Sequence, residues 1–246
     1  MRALFFCLTL IVAGLAAPPA AAQKVELSVD ASKAGAKIDR QIFGQFAEHL
    51  GKGVYEGVWV GPGSSIPNTR GIRNDVVAVL NLNSFARHAD RVRIANIAQM
   101  VNVLQAMILT DKEKMLLTPT YHVFKMYVPF QDATFVPVAF DAGTYTHGDI
   151  TLPRVDAVAA KGTDGRLWLA LTNVDPNRPA EIEARLSGVT ATSAAGETLT
   201  APKVDSVNTF EAPQTVAPRP VSAKVQGGKL ALRLEPKSVT VISVGR

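Results

Sequence analysis

From Arg166 to Val244 the chain is cut into short apolar or alternating runs, each closed by a turn signal after roughly 8–12 residues, and no other feature narrows the fold so far. Ala180-Glu-Ile-Glu-Ala-Arg-Leu186 turns Ile182, Ala184 and Leu186 to one side and Glu181 and Glu183 to the other. Lys229 to Leu234 alternates after Gly227-Gly228, Ser238 to Val244 closes the chain, and Arg166 to Thr172 is a more fully apolar run after the turn at 162–165. Half-apolar strands of this length cannot bury a face alone, so they predict an antiparallel β-sandwich. Pro213, Pro218 and Pro220 are expected between strands, where a missing N–H does least harm. Far upstream, Lys24 to Asp30 alternates with Val25, Leu27 and Val29 on one face, and the spacing predicts a strand that joins the sandwich.

Between these β regions the period changes. Ile38 to Phe46 reads as a second strand, and 51–68 as a loop rich in Gly and Pro. Ile72 to Leu80 opens a helix. Leu82, Phe85, Ala89, Val92, Ala95, Ile97 and Val101 recur at three- and four-residue steps, which predicts a further helix over about 82–98. A short strand is expected over Leu104 to Leu109, and a helix over Tyr121 to Tyr127 after the Pro119 start signal. The stretch 41–131 is too short by more than half for a closed (β/α)8 barrel, which takes about 250 residues.

Composition removes several functional classes. Met1-Arg2, the apolar run Leu4 to Ala17 and the small residues Ala20 and Ala22 form a signal-peptide pattern, with cleavage expected after residue 22 and export to the periplasm or beyond. No membrane contact is expected once that segment is removed. The sole cysteine, Cys7, lies within it, so the remainder can form neither a disulfide nor a thiolate metal site. The formal charge of +5 is spread without a Lys/Arg block, against a nucleic-acid partner. His49, His88, His122 and His147 lack metal-ligand spacing, and Asp141, Asp149 and Asp156 lack that of a compact calcium loop. With no Gly-x-Gly-x-x-Gly or P-loop pattern, no metal and no cofactor is expected. Among the glutamates, Glu48 and Glu56 are the pair nearest a candidate site, and Tyr55 and Trp59 are candidates to stack on a sugar face.

Two blocks carry more than periodicity does. Phe43-Gly-Gln-Phe-Ala-Glu-His-Leu-Gly51, with Val54 to Val60 and Gly71 to Asp75, resembles the start of the family 51 α-L-arabinofuranosidases. Arg87-His-Ala-Asp-Arg-Val-Arg-Ile-Ala-Asn-Ile-Ala-Gln-Met-Val-Asn-Val103 resembles a region after that family's seventh barrel strand, and Pro119 to Tyr127 and the remainder to the C-terminus continue the likeness. The resemblance implies a (β/α)8 barrel with a C-terminal β-sandwich that recruits a strand from the chain start. It also implies removal of non-reducing-end α-L-arabinofuranosyl groups from arabinan and arabinoxylan, with retention, by an acid/base glutamate in an Asn-Glu motif and a nucleophile glutamate. This sequence has no Asn-Glu dipeptide, and its likeness passes from the first helix, near Leu80, to the region after the seventh strand, near Leu82.

The resemblance therefore implies an internally deleted arabinofuranosidase without either catalytic glutamate. The expected fold is mainly β, a C-terminal antiparallel β-sandwich with a remnant (β/α) segment of a TIM barrel that does not close. The expected divisions are a signal peptide over 1–22, a sandwich strand over 23–40, a barrel remnant over 41–131 and the sandwich over 132–246. Glu48 matches an arabinose-binding glutamate and Gln99 a pocket glutamine, with Tyr55, Glu56 and Trp59 in a loop near the pocket. The implied partner is an arabinose-containing oligo- or polysaccharide, with self-association through exposed remnant barrel surfaces. Alternative readings are a polysaccharide-binding or structural sandwich, and a weak glycosidase with an improvised site around Glu48. If the first and eighth barrel strands survive, they are expected to pair in parallel.

Overall fold

A computed structural model describes residues 22–45, 74–97, 100–102, 106–147 and 150–245. The strands are β1 (Gln23–Asp30), β2 (Gly44–Gln45), β3 (Asn96–Ile97), β4 (Ile108–Asp111), β5 (Lys114–Leu117), β6 (Thr134–Val136), β7 (Val138–Asp141), β8 (Thr144–His147) and β9 (Ile150–Pro153). They continue as β10 (Val155–Lys161), β11 (Leu167–Asn173), β12 (Ala180–Ser187), β13 (Ser193–Leu199), β14 (Arg219–Gln226), β15 (Lys229–Leu234) and β16 (Ser238–Gly245). Two α-helices, α1 (Asn74–Arg87) and α2 (Pro119–Met126), and two 3-10 turns, Arg40–Phe43 and Val128–Phe130, complete the set among the described residues.

The protein is mainly β. Ten strands form one hydrogen-bonded ribbon in the order β6-β10-β11-β16-β13-β14-β15-β12-β1-β7, folded so that it nearly closes. The ribbon's two ends, β6 and β7, are joined by Pro137 alone, and the seam between them stays unsealed. The fold between the layers falls at β14, which pairs with β13 along most of its length and with β15 only through Val225 and Gln226. Pro220 lies inside β14 and not between strands, opposite Glu197. It stands on the stretch of β14 that β15 does not reach, so its missing N–H breaks no ladder bond.

The sandwich interior follows the alternation. Val25, Leu27 and Val29 meet Ile182, Ala184 and Leu186 in a cluster that also takes Leu169, Leu171, Leu230, Leu232 and Ile242. β1 lies between β12 and β7, parallel to β12 with Leu27 beside Ala184, and antiparallel to β7 with Val29 beside Val138. This early strand thus gives the otherwise antiparallel ten-stranded ribbon one parallel pairing.

A second core lies on the outer face of the larger layer. Val158, Ala160, Ala170, Val239 and Val241 point away from the sandwich interior and pack under Val79, Leu82 and Ala86 of α1, Val123 and Met126 of α2, and Ile42, Phe43, Tyr127 and Phe130. The helices' apolar faces therefore collapse onto the sheet. Pro119 opens α2 at its first turn, where no N–H is needed, and the Thr118 hydroxyl donates to the carbonyl of Ala106 at 2.8 Å.

Three expectations from periodicity are corrected. The residues before Gly44 do not extend: Asp39 accepts the Gln41 N–H at 2.9 Å, the Ile42 N–H returns to Asp39 O at 3.1 Å, and Arg40–Phe43 winds into a single 3-10 turn. The helix expected over 82–98 ends at Arg87 and begins earlier, at Asn74. Past Arg87 the chain makes a local turn, with the Arg91 and Val92 N–H groups returning to His88 O. It is then captured by tertiary partners, Gly44 N donating to Ala95 O at 3.2 Å and Ala95 N to Gln41 O at 3.3 Å, so the apolar spacing beyond residue 91 belongs to an extended segment. The short strand expected over Leu104 to Leu109 is found later, as β4.

Candidate functional site

β2 and β3 pair in parallel, Gly44 beside Asn96 and Gln45 beside Ile97, with α1 on the connection between them. Strand, helix and parallel strand make one βαβ unit, and parallel strands end on the same side. Close approach at this pair depends on Gly44. A Cβ there would lie 2.0 Å from Asn96 Oδ1, so only a residue without a side chain lets the Asn96 amide lie across the strand. Glu48 follows the last residue of β2 by three positions, and Gln99 follows that of β3 by two. Glu48, Tyr55, Glu56, Trp59 and Gln99 all lie outside the described residues, as do His49 and Asp149.

What holds this unit on the sandwich is a buried polar network that periodicity did not reveal. Asn83 of α1 is fully buried and donates to Asp156 Oδ2 on β10 at 2.9 Å, while Tyr127 donates its hydroxyl to Asn83 Oδ1 at 2.6 Å. Arg87, at the end of α1, reaches Asp156 Oδ1 at 2.8 Å and the Ala157 carbonyl at 3.4 Å. Burial pushes the Tyr127 phenol well above its ordinary value, and the nearby Asp156 carboxylate adds to the shift, so this hydroxyl stays a donor. The sequence signal was a lone aspartate inside the run Val155-Asp-Ala-Val-Ala-Ala160, since a charge in an apolar strand implies a buried partner.

A second ion pair ties the chain start to the loop before β12. Arg154 and Asp175 are both almost fully buried, 3.2 Å apart, and Arg154 also donates to the Gln23 side-chain carbonyl and the Pro179 carbonyl. Burial alone would raise the Asp175 carboxyl. The N–H groups of Asn177 and Arg178, with the Arg178 and Arg154 guanidinium groups, outweigh that and hold it below the usual carboxylate range.

Neither buried carboxylate is arranged as a proton donor, since each accepts hydrogen bonds and faces a cation. The described glutamates 26, 113, 183, 197, 211 and 235 are exposed and Glu181 is half-buried, so none of them has the apolar enclosure that raises a carboxyl toward acid catalysis. Glu181 and Glu183 are held outward by Arg233 and Lys24, each at 2.9 Å. Among the described residues no group of three or more His, Cys, Asp or Glu side chains could hold a metal ion.

Comparison with known proteins agrees with this architecture. Residues 58–238 match the profile of the alpha-L-arabinofuranosidase C-terminal domain. An intracellular exo-alpha-L-arabinofuranosidase of Bacteroides ovatus is 42% identical over 175 residues, covering 70% of this chain and 34% of that protein. Among solved structures, the GH51 arabinofuranosidase from Xanthomonas axonopodis pv. citri is 44% identical with a TM-score of 0.69, over 75% of this chain and 38% of that one. The thermostable GH51 alpha-L-arabinofuranosidase from Thermotoga petrophila is 27% identical with a TM-score of 0.59, over 69% of this chain and 36% of that one. The chain spans little more than a third of the length of these relatives.

Proposed function

Because the chain belongs to the alpha-L-arabinofuranosidase C-terminal domain family, we propose that it is a family 51 arabinofuranosidase that has lost most of its catalytic barrel and with it the ability to cleave glycosides. The observation that carries this reading is the parallel β2–β3 pair, two strands held side by side with α1 between them in sequence. α1 supports an internal join. Leu80 and Leu82, where the resemblance passes from one barrel region to another, both lie inside this helix, and Val79, Leu82 and Ala86 stay on one buried face across it.

Retaining hydrolysis needs two carboxyl groups about 5–5.5 Å apart across the sugar, one donating a proton and one forming the glycosyl–enzyme bond. With no Asn-Glu dipeptide in the chain, the acid/base is missing, and the nucleophile is missing with the deleted barrel. Proton transfer alone is worth about 10²–10⁴ in rate, and the covalent route is lost as well. What remains is one wall of a pocket. Glu48 and Gln99 orient an arabinofuranosyl group there, and Tyr55, Glu56 and Trp59 lie near it. The partner is an arabinose-containing oligo- or polysaccharide, held at millimolar strength or weaker because burial and convergent polar contacts are both cut. The pattern over residues 1–22 directs the chain to the periplasm or the exterior.

Purified protein incubated with 4-nitrophenyl α-L-arabinofuranoside is expected to release no nitrophenol above blank, with Glu48→Gln indistinguishable from the parent. Turnover that co-purifies with the protein and falls in Glu48→Gln would overturn this reading in favour of an improvised site around Glu48.

A further inference from the structure

β1 begins at Gln23, the residue that follows the cleavage position expected after residue 22, and its ladder with β12 begins there too, Gln23 beside Ala180. The Gln23 side chain is held by both halves of its amide. Its carbonyl accepts from the Arg154 guanidinium, and its NH2 donates to the Ala142 carbonyl at 3.2 Å. The turn after β7 builds this seat. Asp141 accepts the Gly143 N–H at 3.0 Å, and Gly143 stands at φ 62, where a residue without a side chain is favoured. A Cβ at Gly143 would lie 3.2 Å from Gln23 Nε2, so the amide rests against bare backbone. The main-chain nitrogen of Gln23 is engaged elsewhere, 3.4 Å from the Pro179 carbonyl. Arg154 is itself buried against Asp175, which fixes the group that holds the Gln23 carbonyl.

A glutamine at a chain start has a reaction open to it that an internal one lacks. Near neutral pH part of its α-amine is uncharged and nucleophilic. The amine attacks the side-chain carbon Cδ, the bond from Cδ to the amide nitrogen breaks, and that nitrogen leaves as ammonia with one proton from the amine. The product is a pyroglutamate lactam, and nothing else is consumed. Ring closure needs Cδ bonded to the main-chain nitrogen, yet here the amide is tied to Arg154 and Ala142 while the nitrogen is turned to Pro179. Closing the ring would delete the NH2 donor to Ala142 and draw the carbonyl back onto the main chain, leaving the buried Arg154 one acceptor short. We propose that Gln23 is a modification site of the exported chain: cleavage after residue 22 frees its amine, docking of β1 keeps its side chain open, and undocking of β1 lets it close to pyroglutamate. The inference rests on the cleavage position proposed above, and involves neither the lost barrel nor any sugar.

Mass spectrometry of the N-terminal peptide tests it, on the full chain expressed with residues 1–22 and recovered after export. The first residue is expected to be Gln23 at its open mass. Kept in neutral buffer, the folded protein should lose ammonia from that peptide at least about tenfold more slowly than the same protein in urea, because only the opened strand reacts. Folded Arg154→Met should cyclise faster than the folded parent. Should that variant not fold, the parent supplies a second measurement: chain cyclised in urea and refolded should unfold at a lower urea concentration than open chain. Equal rates in buffer and urea would overturn the proposal, as would equal rates in the parent and folded Arg154→Met, or equal urea midpoints for open and cyclised chain. An exported chain with a different first residue would overturn the cleavage position, and the proposal with it.

Discussion

Asp156 shows how one side chain can hold two parts of a chain together. Its carboxylate serves Asn83, which has no access to water, and Arg87, which keeps partial access. Asp156→Ala strands the Asn83 amide and leaves Arg87 to re-solvate, so a loss of about 3 kcal/mol is expected, at the low end for breaking a buried pair. Tyr127→Phe removes only the donor to Asn83 Oδ1 and should cost about 1–2 kcal/mol. Urea unfolding of the two variants and the parent checks both figures and their order. His122 predicts a pH effect of definite sign. It is buried on α2 with Nε2 unpartnered, and burial lowers its pKa, with Lys125 adding to the shift and Glu197 opposing it. The unfolded chain therefore binds a proton more readily than the folded one, and stability should fall as pH drops below about 6.5, levelling once the folded-state pKa is passed. The urea midpoint followed from pH 8 to about 5 should fall in the parent and fall less in His122→Phe.

At the scale of elements, the question is what decides where a segment stops being helical. The spacing from Leu82 to Val101 fits a helix throughout, yet α1 ends at Arg87: the Arg91 and Val92 N–H groups return to His88 O, and the backbone of residues 95–97 finds its partners on Gln41, Gly44 and Gln45. Gly44 makes that capture possible. Gly44→Ala should turn the exposed Asn96 side chain aside and crowd the Gln41 carbonyl, 3.1 Å from the added Cβ, which accepts the Ala95 N–H, and so loosen β2–β3 while leaving the sandwich ladder intact. Hydrogen exchange should then accelerate at residues 44, 95 and 97, with residues of β11 and β16 unchanged. Equal loss of protection in both regions would contradict this separation. The 3-10 turn before Gly44 teaches the same lesson. Ile42 and Phe43 are as buried as strand residues would be, but Asp39 supplies a local acceptor that competes with extension.

For the whole molecule, much was legible because a period of two is a local property. Val25, Leu27 and Val29, and Ile182, Ala184 and Leu186, were recognisable as inward faces without knowing what they faced, and all six are buried. The family was legible too, from the runs Phe43 to Gly51 and Arg87 to Val103. Glu48, Tyr55, Glu56 and Trp59 stood out by residue type, Gln99 came from that likeness alone, and all five lie outside the described residues. Partnership was not legible. That β1 lies between β7 and β12, parallel to one and antiparallel to the other, follows from packing across more than a hundred residues of chain, which no local pattern encodes. Nor did spacing show that the helices would cover Val158, Ala170 and Val241, or that Asp156 would find Asn83. Alternation says that a side chain must leave water. Which surface receives it depends on shape and on polar groups that must all be satisfied together, and these exist only once the chain has closed on itself.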